Sequence, residues 1–269
     1  MLRQPGGMGM DGFVHCRCVQ DGLVTPPVAT TFDGQFLEPV DRTSMSLEEV
    51  IAFDRWKLDA CEHPEMDLVV ERIGNWAEYG MVKDFIGAST ADLPVLRAEL
   101  PSSNGGTTPW TRSLIALGEL DQLVASQPFF EILELVDLGT GRVVRETGHF
   151  GSEFINEQGD VLIHFDETHL CVSVGGATVF RSTRFQQRLS ADVESAFDLI
   201  DVYGASVTLG SPICGPLIGR DDEDGLEVPP TEFEVRPARF GVENIEWRLG
   251  ALSRLFRASV DSRNPVVWC

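Results

Sequence analysis

The chain has 269 residues and a mass of 29.6 kDa, with 42 acidic against 21 basic residues and a net charge of −21. This length suits one large domain or two small ones, and the 43% of hydrophobic residues indicates a globular protein. The negative charge argues against a nucleic-acid partner, because phosphate binding needs clustered Lys and Arg. It also argues against an anionic membrane surface.

The sequence favours neither export of the protein nor its insertion into a membrane. Residues 1–13 lack the apolar stretch of a secretory signal. The longest informative uncharged run, residues 202–219, contains four glycines and two prolines, which does not suit a membrane helix. We therefore expect a cytoplasmic protein whose six cysteines are reduced.

Apolar residues recur at helical spacing from about residue 44 to residue 126, and this pattern predicts that the first half of the chain is helical. Ser46 and Glu49 have the spacing of a capping box, so the first helix is predicted to begin there. A second helix is predicted to begin at Pro64 and to continue to Gly80, because apolar side chains recur at helical spacing. Two further helices are predicted at residues 91–99 and from Pro109 onward.

From Phe129 the pattern changes to short apolar runs that are separated by turn residues, as in a β-sheet. Strands are predicted at residues 130–136, 142–147, 152–156, 161–165, 169–174 and 177–180. Short turns between consecutive strands mean antiparallel pairing, and the absence of crossover helices makes a doubly wound fold improbable. Residues 192–203 fit either a helix or a strand, whereas the acidic run at 221–224 suits a solvated loop.

The predicted fold class is α+β, with a helical N-terminal half packed on an antiparallel β-sheet and a C-terminal helix at residues 244–260. The change of periodicity divides the chain into two regions. Residues 1–127 form a mainly helical N-terminal region, and residues 128–269 form an antiparallel β region with the C-terminal helix.

Two short motifs have the residue types of a metal site, Cys16-Arg17-Cys18 and Cys61-Glu62-His63. In an extended segment, residues two apart point to the same side, so Cys16 and Cys18 can present both sulfurs together. Proline disfavours helical backbone at the preceding residue, so Pro64 keeps His63 extended and lets Cys61 and His63 face one way. Three thiolates and one imidazole form a tetrahedral zinc set.

A zinc ion with four protein ligands would be structural and not catalytic. His15 and Cys269 are alternative ligands in this interpretation. The competing interpretation is a group of reduced thiols in a small core, because a free cysteine behaves as a small buried hydrophobe. The sequence leaves both interpretations open.

A glycine-rich segment before the fourth predicted helix is a candidate ligand-binding loop: Asn104, Gly105, Gly106, Thr107 and Thr108. Backbone amides at a helix N-terminus can bind an anion. The segment lacks the lysine and the spacing of a phosphate-binding loop. We favour a structural turn in which Thr108 caps the helix and Pro109 occupies its first position.

A third candidate is the predicted hairpin that contains His164, Asp166 and His169, which together could hold a metal with two imidazoles and one carboxylate. Exposed hairpin positions are the simpler interpretation. The sequence has no Gly-x-Ser-x-Gly nucleophile motif, no His-Glu-x-x-His zinc helix and no Gly-x-Gly-x-x-Gly dinucleotide motif.

A series of motifs resembles a family of uncharacterised bacterial proteins. The motifs are Cys16-x-Cys18, Pro26-Pro27, Cys61-Glu62-His63-x-x-Met66, Glu71-Arg72-Ile73-x-Asn75-Trp76, Leu100-Pro101-x-x-Asn104-Gly105-Gly106 and Asn264-Pro265-Val266-Val267-Trp268-Cys269. The resemblance implies a bacterial origin and an intracellular setting, and it transfers no activity, cofactor or partner.

The function that the sequence favours is that of a non-enzymatic, acidic, cytosolic binding protein, of an immunity type or a regulatory type. Its partner would be a protein with a basic surface, and the acidic region 192–246 would speed their association. One alternative is a metal-dependent hydrolase that uses His164, Asp166 and His169, or a Cys/His site with an open position. Another is a small-ligand sensor that uses the turn at Gly105 and Gly106.

Overall fold

The computed structural model describes residues 9–33, 35–146, 154–155, 161–193, 196–210 and 231–269. The helices within these ranges are α1 Leu47–Asp59, α2 Trp76–Ala88, α3 Pro94–Glu99, α4 Trp110–Ser126 and α5 Val242–Ser262. The strands are β1 Gly9–His15, β2 Thr30–Phe32, β3 Leu37–Pro39, β4 Asp67–Asn75, β5 Thr107–Thr108, β6 Phe129–Asp137, β7 Val143–Glu146, β8 Phe154–Ile155, β9 Val161–Phe165, β10 Leu170–Val174, β11 Ala177–Ser182, β12 Arg184–Leu189, β13 Phe197–Asp201, β14 Ser206–Leu209, β15 Glu232–Gly241 and β16 Val266–Trp268.

The chain divides into two compact units, and the predicted α+β class is confirmed. The first unit comprises the described residues of Met1–Pro128 together with Gly241–Cys269. The second comprises those of Phe129–Phe240. The first unit therefore joins the two ends of the chain, and α5 belongs to it.

The first unit has a four-stranded antiparallel sheet of order β4-β1-β16-β5, against which α2 and α5 pack. Helix α5 contacts α4 and β4, and its apolar face is buried along its whole length. The central strand β16 contributes three buried side chains, Val266, Val267 and Trp268. Strands β2 and β3 form a separate antiparallel hairpin.

The prediction of a helix from Pro64 to Gly80 is wrong, because its first part is strand β4. Strand β4 pairs with β1 in antiparallel register, with Val14 opposite Val69. Helix α2 begins only at Trp76, where a capping box fixes its start. In that box the Asn75 side chain accepts from the Glu78 amide, and the Glu78 carboxylate accepts from the Asn75 amide, both at 2.9 Å.

The other predicted helices are present, with ends shifted by a few residues. The capping box of α1 forms as predicted, since the Ser46 hydroxyl accepts from the Glu49 amide and Glu49 accepts from the Ser46 amide. Helix α5 extends the predicted C-terminal helix to residues 242–262.

The second unit contains a six-stranded sheet of order β14-β13-β12-β15-β6-β7 and a four-stranded sheet of order β11-β10-β9-β8. Its core includes a stacked pair of rings, Phe185 and Phe233, whose centroids are 5.1 Å apart. The ambiguous stretch from 192 contributes strand β13 at residues 197–201. The acidic run at 221–224 lies outside the described residues.

Candidate metal centre

Two chain segments place three sulfurs and one imidazole at a single point of the first unit. Cys16 and Cys18 follow the end of β1, and Cys61 and His63 lie between α1 and a 3-10 turn at Pro64–Met66. The four ligand atoms all lie within 4.8 Å of one another. The structure thus brings together the four residues that the sequence selected, from segments that are 45 positions apart.

Three of the six distances between these atoms match those of a tetrahedral zinc site, and all six are within 4.8 Å. The Sγ atoms of Cys16 and Cys61 are 3.7 Å apart, and His63 Nδ1 lies 3.5 Å from Cys18 Sγ and 3.6 Å from Cys61 Sγ. Zinc–sulfur bonds of about 2.3 Å and a zinc–nitrogen bond of about 2.0 Å at tetrahedral angles give S–S distances of about 3.8 Å and S–N distances of about 3.5 Å. The cluster therefore has both the donors and the dimensions for zinc.

The backbone around the second pair of ligands is constrained in two ways. His63 is extended, with φ −94° and ψ 113°, as predicted from the proline that follows it. Glu65 and Met66 have left-handed backbone, with φ values of 55° and 64°. Consecutive non-glycine residues in this region are strained and persist where the surrounding structure fixes them. Here the Cys16 amide donates to the Met66 carbonyl at 2.8 Å, which joins the turn to the first pair of ligands.

Asn264 holds the first ligand segment from the C-terminal side, and the sequence assigned it no role. Its side-chain amide donates to the carbonyls of His15 at 2.9 Å and Cys16 at 3.2 Å. Its oxygen accepts from the Gln20 side chain at 3.0 Å. The one signal in the sequence was its place in the closing Asn264-Pro265 motif.

Two of the four residues of the cluster, Cys16 and Cys18, are shielded from water, and this burial changes the acidity of their thiols. Cys16 is 5% exposed and Cys18 is 7% exposed. Burial, together with the neighbouring thiol of Cys61, raises the pKa of Cys16 to about 12, and burial also raises the pKa of Cys18. Thiolates at this place therefore need a compensating cation.

The cysteines belong to a small core that is centred on the ligand segments. Cys16 and Cys18 pack there with Leu37 of β3, Phe53 of α1 and Met66. Phe53 is the one buried residue among the side chains of α1. A core of this size supplies little hydrophobic stabilisation by itself, which is the situation in which structural metals occur.

The two alternative ligands lie outside the cluster. His15 Nδ1 lies 2.9 Å from a carboxylate oxygen of Asp67. Cys269 is exposed, and its backbone pairs with Asp11 in β1. Among the described residues, Cys16, Cys18, Cys61 and His63 form the one group of His, Cys, Asp or Glu whose ligand atoms come close enough to hold a metal.

The glycine-rich segment is built into the sheet of the first unit. The Gly105 amide donates to the Trp268 carbonyl at 3.1 Å, and the Gly106 carbonyl accepts from the Trp268 amide at the same distance. Thr107 and Thr108 form β5, which pairs with β16. Gly105 and Gly106 have φ values of 96° and 93°, a backbone conformation that requires glycine.

The prediction that Thr108 caps the fourth helix is wrong. The N-cap of α4 is Pro109, which offers no side-chain hydrogen bond. Thr108 is fully buried, and its hydroxyl accepts from the Trp268 indole at 3.0 Å and donates to the Glu99 carbonyl at 3.3 Å. The Thr108 hydroxyl is therefore engaged in tertiary hydrogen bonds with Trp268 and Glu99 and does not cap the helix.

The hairpin of β9 and β10 uses Asp166 to shape its turn. The Asp166 carboxylate accepts from the backbone amides of Thr168 at 2.9 Å and His169 at 2.8 Å, and also from the Arg181 side chain. His164 lies opposite Cys171 across the strands. Among the described residues, the cluster of side chains that could hold a metal does not include His164, Asp166 or His169.

Comparisons with known proteins assign no function to this chain, so a functional proposal has to rest on the geometry of the site. No protein-family profile matches the chain, and no curated protein or solved structure is significantly similar to it. Among the described residues, no helix is both long enough and apolar enough to cross a membrane.

Proposed function

We propose that this protein binds one zinc ion through Cys16, Cys18, Cys61 and His63, and that the ion has a structural role. The observation that carries the proposal is the convergence of three sulfurs and one nitrogen within 4.8 Å, with three of their distances matching those of a tetrahedral zinc site. Thiolate sulfur favours zinc over the hard cations magnesium and calcium.

The structural role follows from the number and burial of the donors. Four protein ligands fill a tetrahedral coordination sphere, whereas a catalytic zinc keeps one position open for water or substrate. Cys16 and Cys18 are buried, and Cys61 and His63 are partly exposed. The ion fastens the segment after β1 to the end of α1, and so stabilises a core that is too small to be stable on its own.

Metal analysis of protein that is purified without chelators tests this proposal. We expect one zinc per chain in the wild type, no zinc in Cys61→Ser, and full occupancy in Cys269→Ser, an exposed cysteine outside the cluster. Zinc removal is expected to lower the free energy of unfolding of the first unit by about 3 kcal/mol or more, because the ion binds only the folded state. Metal-free protein of full thermal stability would contradict the structural role.

A groove in the first unit supports a second role, the binding of a protein partner. The groove has a volume of about 570 Å³ and is lined by residues of α4 and α5. Its apolar lining includes Leu120, Val124 and Leu249, and Val124 is 39% exposed. Leu120 and Leu249 are buried beneath it, so Val124 is the exposed one of these three side chains, and an apolar depression with a polar rim suits an interaction site.

The charges of this groove select the kind of partner. Asp121, Glu243 and Glu246 contribute carboxylates to it, and the described residues that line it include no cation. We propose that it binds a basic amphipathic helix of a partner protein, with apolar side chains on the floor and Lys or Arg against the carboxylates. A basic partner is also attracted by the net charge of the chain, which is −21.

A helical peptide with leucines on one face and lysines on the other is a direct probe, and the same peptide with glutamates in place of lysines is its control. We expect the lysine peptide to bind and its association to slow as salt rises, because salt screens charges over about 8 Å at physiological ionic strength. Glu246→Lys should weaken binding about threefold, because it reverses one rim charge. Asp261→Lys, on the same helix beyond the groove, should leave peptide binding unchanged. Equal binding of both peptides would overturn the proposal.

A further inference from the structure

The three cysteines of the metal centre differ in their access to solvent. Cys61 is partly exposed, whereas Cys16 is 5% exposed and Cys18 is 7% exposed. Partial exposure is one of the properties that make a cysteine susceptible to oxidation, and full burial protects it. An oxidant that is dissolved in water therefore meets Cys61 before the other two.

A second sulfur lies beside the exposed one. The Sγ atoms of Cys16 and Cys61 are 3.7 Å apart. A disulfide bond is about 2.05 Å long, so its formation requires the two atoms to approach by about 1.7 Å. An accessible cysteine that is oxidised first, next to a second cysteine that then reacts with it, is the arrangement of a redox-sensing pair.

The backbone holds this pair of cysteines without the help of the metal. The Cys16 amide donates to the Met66 carbonyl at 2.8 Å, and the Cys16 carbonyl accepts from the Asn264 side chain at 3.2 Å. Neither hydrogen bond uses a ligand atom of the site. Loss of the ion therefore leaves both hydrogen bonds in place and keeps Cys16 close to Cys61.

Zinc supplies the chemical form of the cysteines that reacts with an oxidant. The thiolate and not the thiol is the nucleophile, and coordination to a metal keeps a cysteine deprotonated. This step rests on the proposed zinc site. With the ion bound, both Cys16 and Cys61 are thiolates, and neither needs a neighbouring base.

We propose that the metal centre is a peroxide-sensitive thiol switch, in which oxidation joins Cys16 and Cys61 in a disulfide and releases the zinc ion. The Cys61 thiolate attacks one oxygen of hydrogen peroxide, so that an S–O bond forms, the O–O bond breaks and hydroxide leaves. The Cys16 thiolate then attacks Cys61 Sγ, so that the S–S bond forms, the S–O bond breaks and a second hydroxide leaves. The two sulfurs are oxidised by two electrons in total, and peroxide is reduced by the same number.

Release of the ion follows from the loss of half of its ligands. The metal ligand is the thiolate, which a sulfur in a disulfide no longer is. Cys18 and His63 are the two donors that remain, and two donors do not complete a tetrahedral site. A reductant that restores both thiolates also restores the site, so the zinc content follows the redox state of the surroundings.

The disulfide replaces the ion as the connection between the two segments. Cys16 and Cys61 are 45 positions apart, and a cross-link that closes a long loop restricts the unfolded chain. We therefore expect oxidised, zinc-free protein to unfold at a higher temperature than reduced, zinc-free protein that is prepared with a chelator.

Peroxide treatment of the zinc-loaded full chain, with the released zinc measured by a chromogenic chelator, tests the switch. Trypsin cleaves after Arg17, so Cys16 lies in the peptide 4–17 and Cys18 in the peptide 18–42, whereas Cys61 lies in the peptide 58–72. Mass spectrometry therefore identifies which sulfurs are joined. We expect one zinc to be released for each linked pair of peptides 4–17 and 58–72, and zinc to bind again after treatment with a phosphine reductant.

Two variants that each remove one zinc ligand form a matched pair. Cys18→Ser should still give the linked peptides under peroxide, because the reacting pair is intact. Cys16→Ser should give none. Cys269→Ser, outside the cluster, should behave as the wild type. The peptide map of the wild type decides the question by itself if a variant does not fold.

Zinc content before and after peroxide separates this proposal from the one on the metal centre. Peroxide that leaves one zinc bound, or that oxidises Cys61 without joining it to Cys16, overturns the switch and leaves the structural zinc site standing. A chain that contains no zinc before peroxide is added overturns the zinc site and the switch with it.

Discussion

Asp166 shows how one carboxylate organises several neighbours in the second unit. It accepts hydrogen bonds from two backbone amides of the β9–β10 turn and from the Arg181 guanidinium, and Cys171 Sγ lies 3.4 Å from it. Burial by itself raises the pKa of Asp166, but the hydrogen bonds from Arg181 and the two amides outweigh burial and hold the pKa well below its ordinary value. The folded state therefore favours the ionised carboxylate.

This pKa shift predicts how Asp166→Asn changes stability with pH. A carboxyl whose pKa is lowered by folding contributes stability above its unfolded pKa, and that contribution is lost as the pH falls towards the folded pKa. At pH 7 we expect the variant to lower the stability of the second unit by about 1 kcal/mol, given the partial exposure of the group. The difference should shrink once the pH falls below the ordinary value of 3.8.

Thermal unfolding followed by circular dichroism measures this difference. All five tryptophans lie in the first unit, so their fluorescence identifies its transition separately. Asp192→Asn, an exposed acid of the second unit, should leave stability unchanged at every pH. A deficit in Asp166→Asn that persists unchanged at pH 2 would show that the charge of the carboxylate is not its cause.

Strand β4 shows why sequence periodicity failed at one element and succeeded at others. The apolar residues Val69, Val70 and Ile73 have helical spacing, yet they are β-branched and lie in a strand that pairs with β1, more than fifty positions earlier. Long-range pairing of this kind is not visible in a local pattern. The Asn75 and Glu78 capping box was a local signal that marked the true start of α2.

The metal centre was predictable to the extent that its geometry is local. Two ligands spaced by one residue in an extended segment share a side, and Pro64 made that geometry predictable for His63. The left-handed backbone of Glu65 and Met66 and the contacts of Asn264 depend on tertiary structure. No local pattern therefore indicated them.

At the scale of the whole molecule, the first unit depends on the two ends of the chain meeting. Strand β16 lies between β1 and β5, and Asn264, two residues before this strand begins, holds the segment that contains Cys16. The second unit has its own buried core and is continuous in sequence. The first unit should therefore be sensitive to the loss of a few C-terminal residues, and the second should not.

Deletion of residues 264–269 tests this dependence. It removes Val266, Val267 and Trp268, each at most 3% exposed, and burial of each such side chain contributes about 1.5–3 kcal/mol. The sum is comparable to the total stability of a domain, about 5–15 kcal/mol, so we expect the first unit to unfold and lose zinc. The helical signal in circular dichroism should fall, because the described α-helices all lie in the first unit, whereas the strand signal of the second unit should persist. Cys269→Ser is the control that keeps β16, and a truncated chain that retains zinc and its helical signal would refute the dependence.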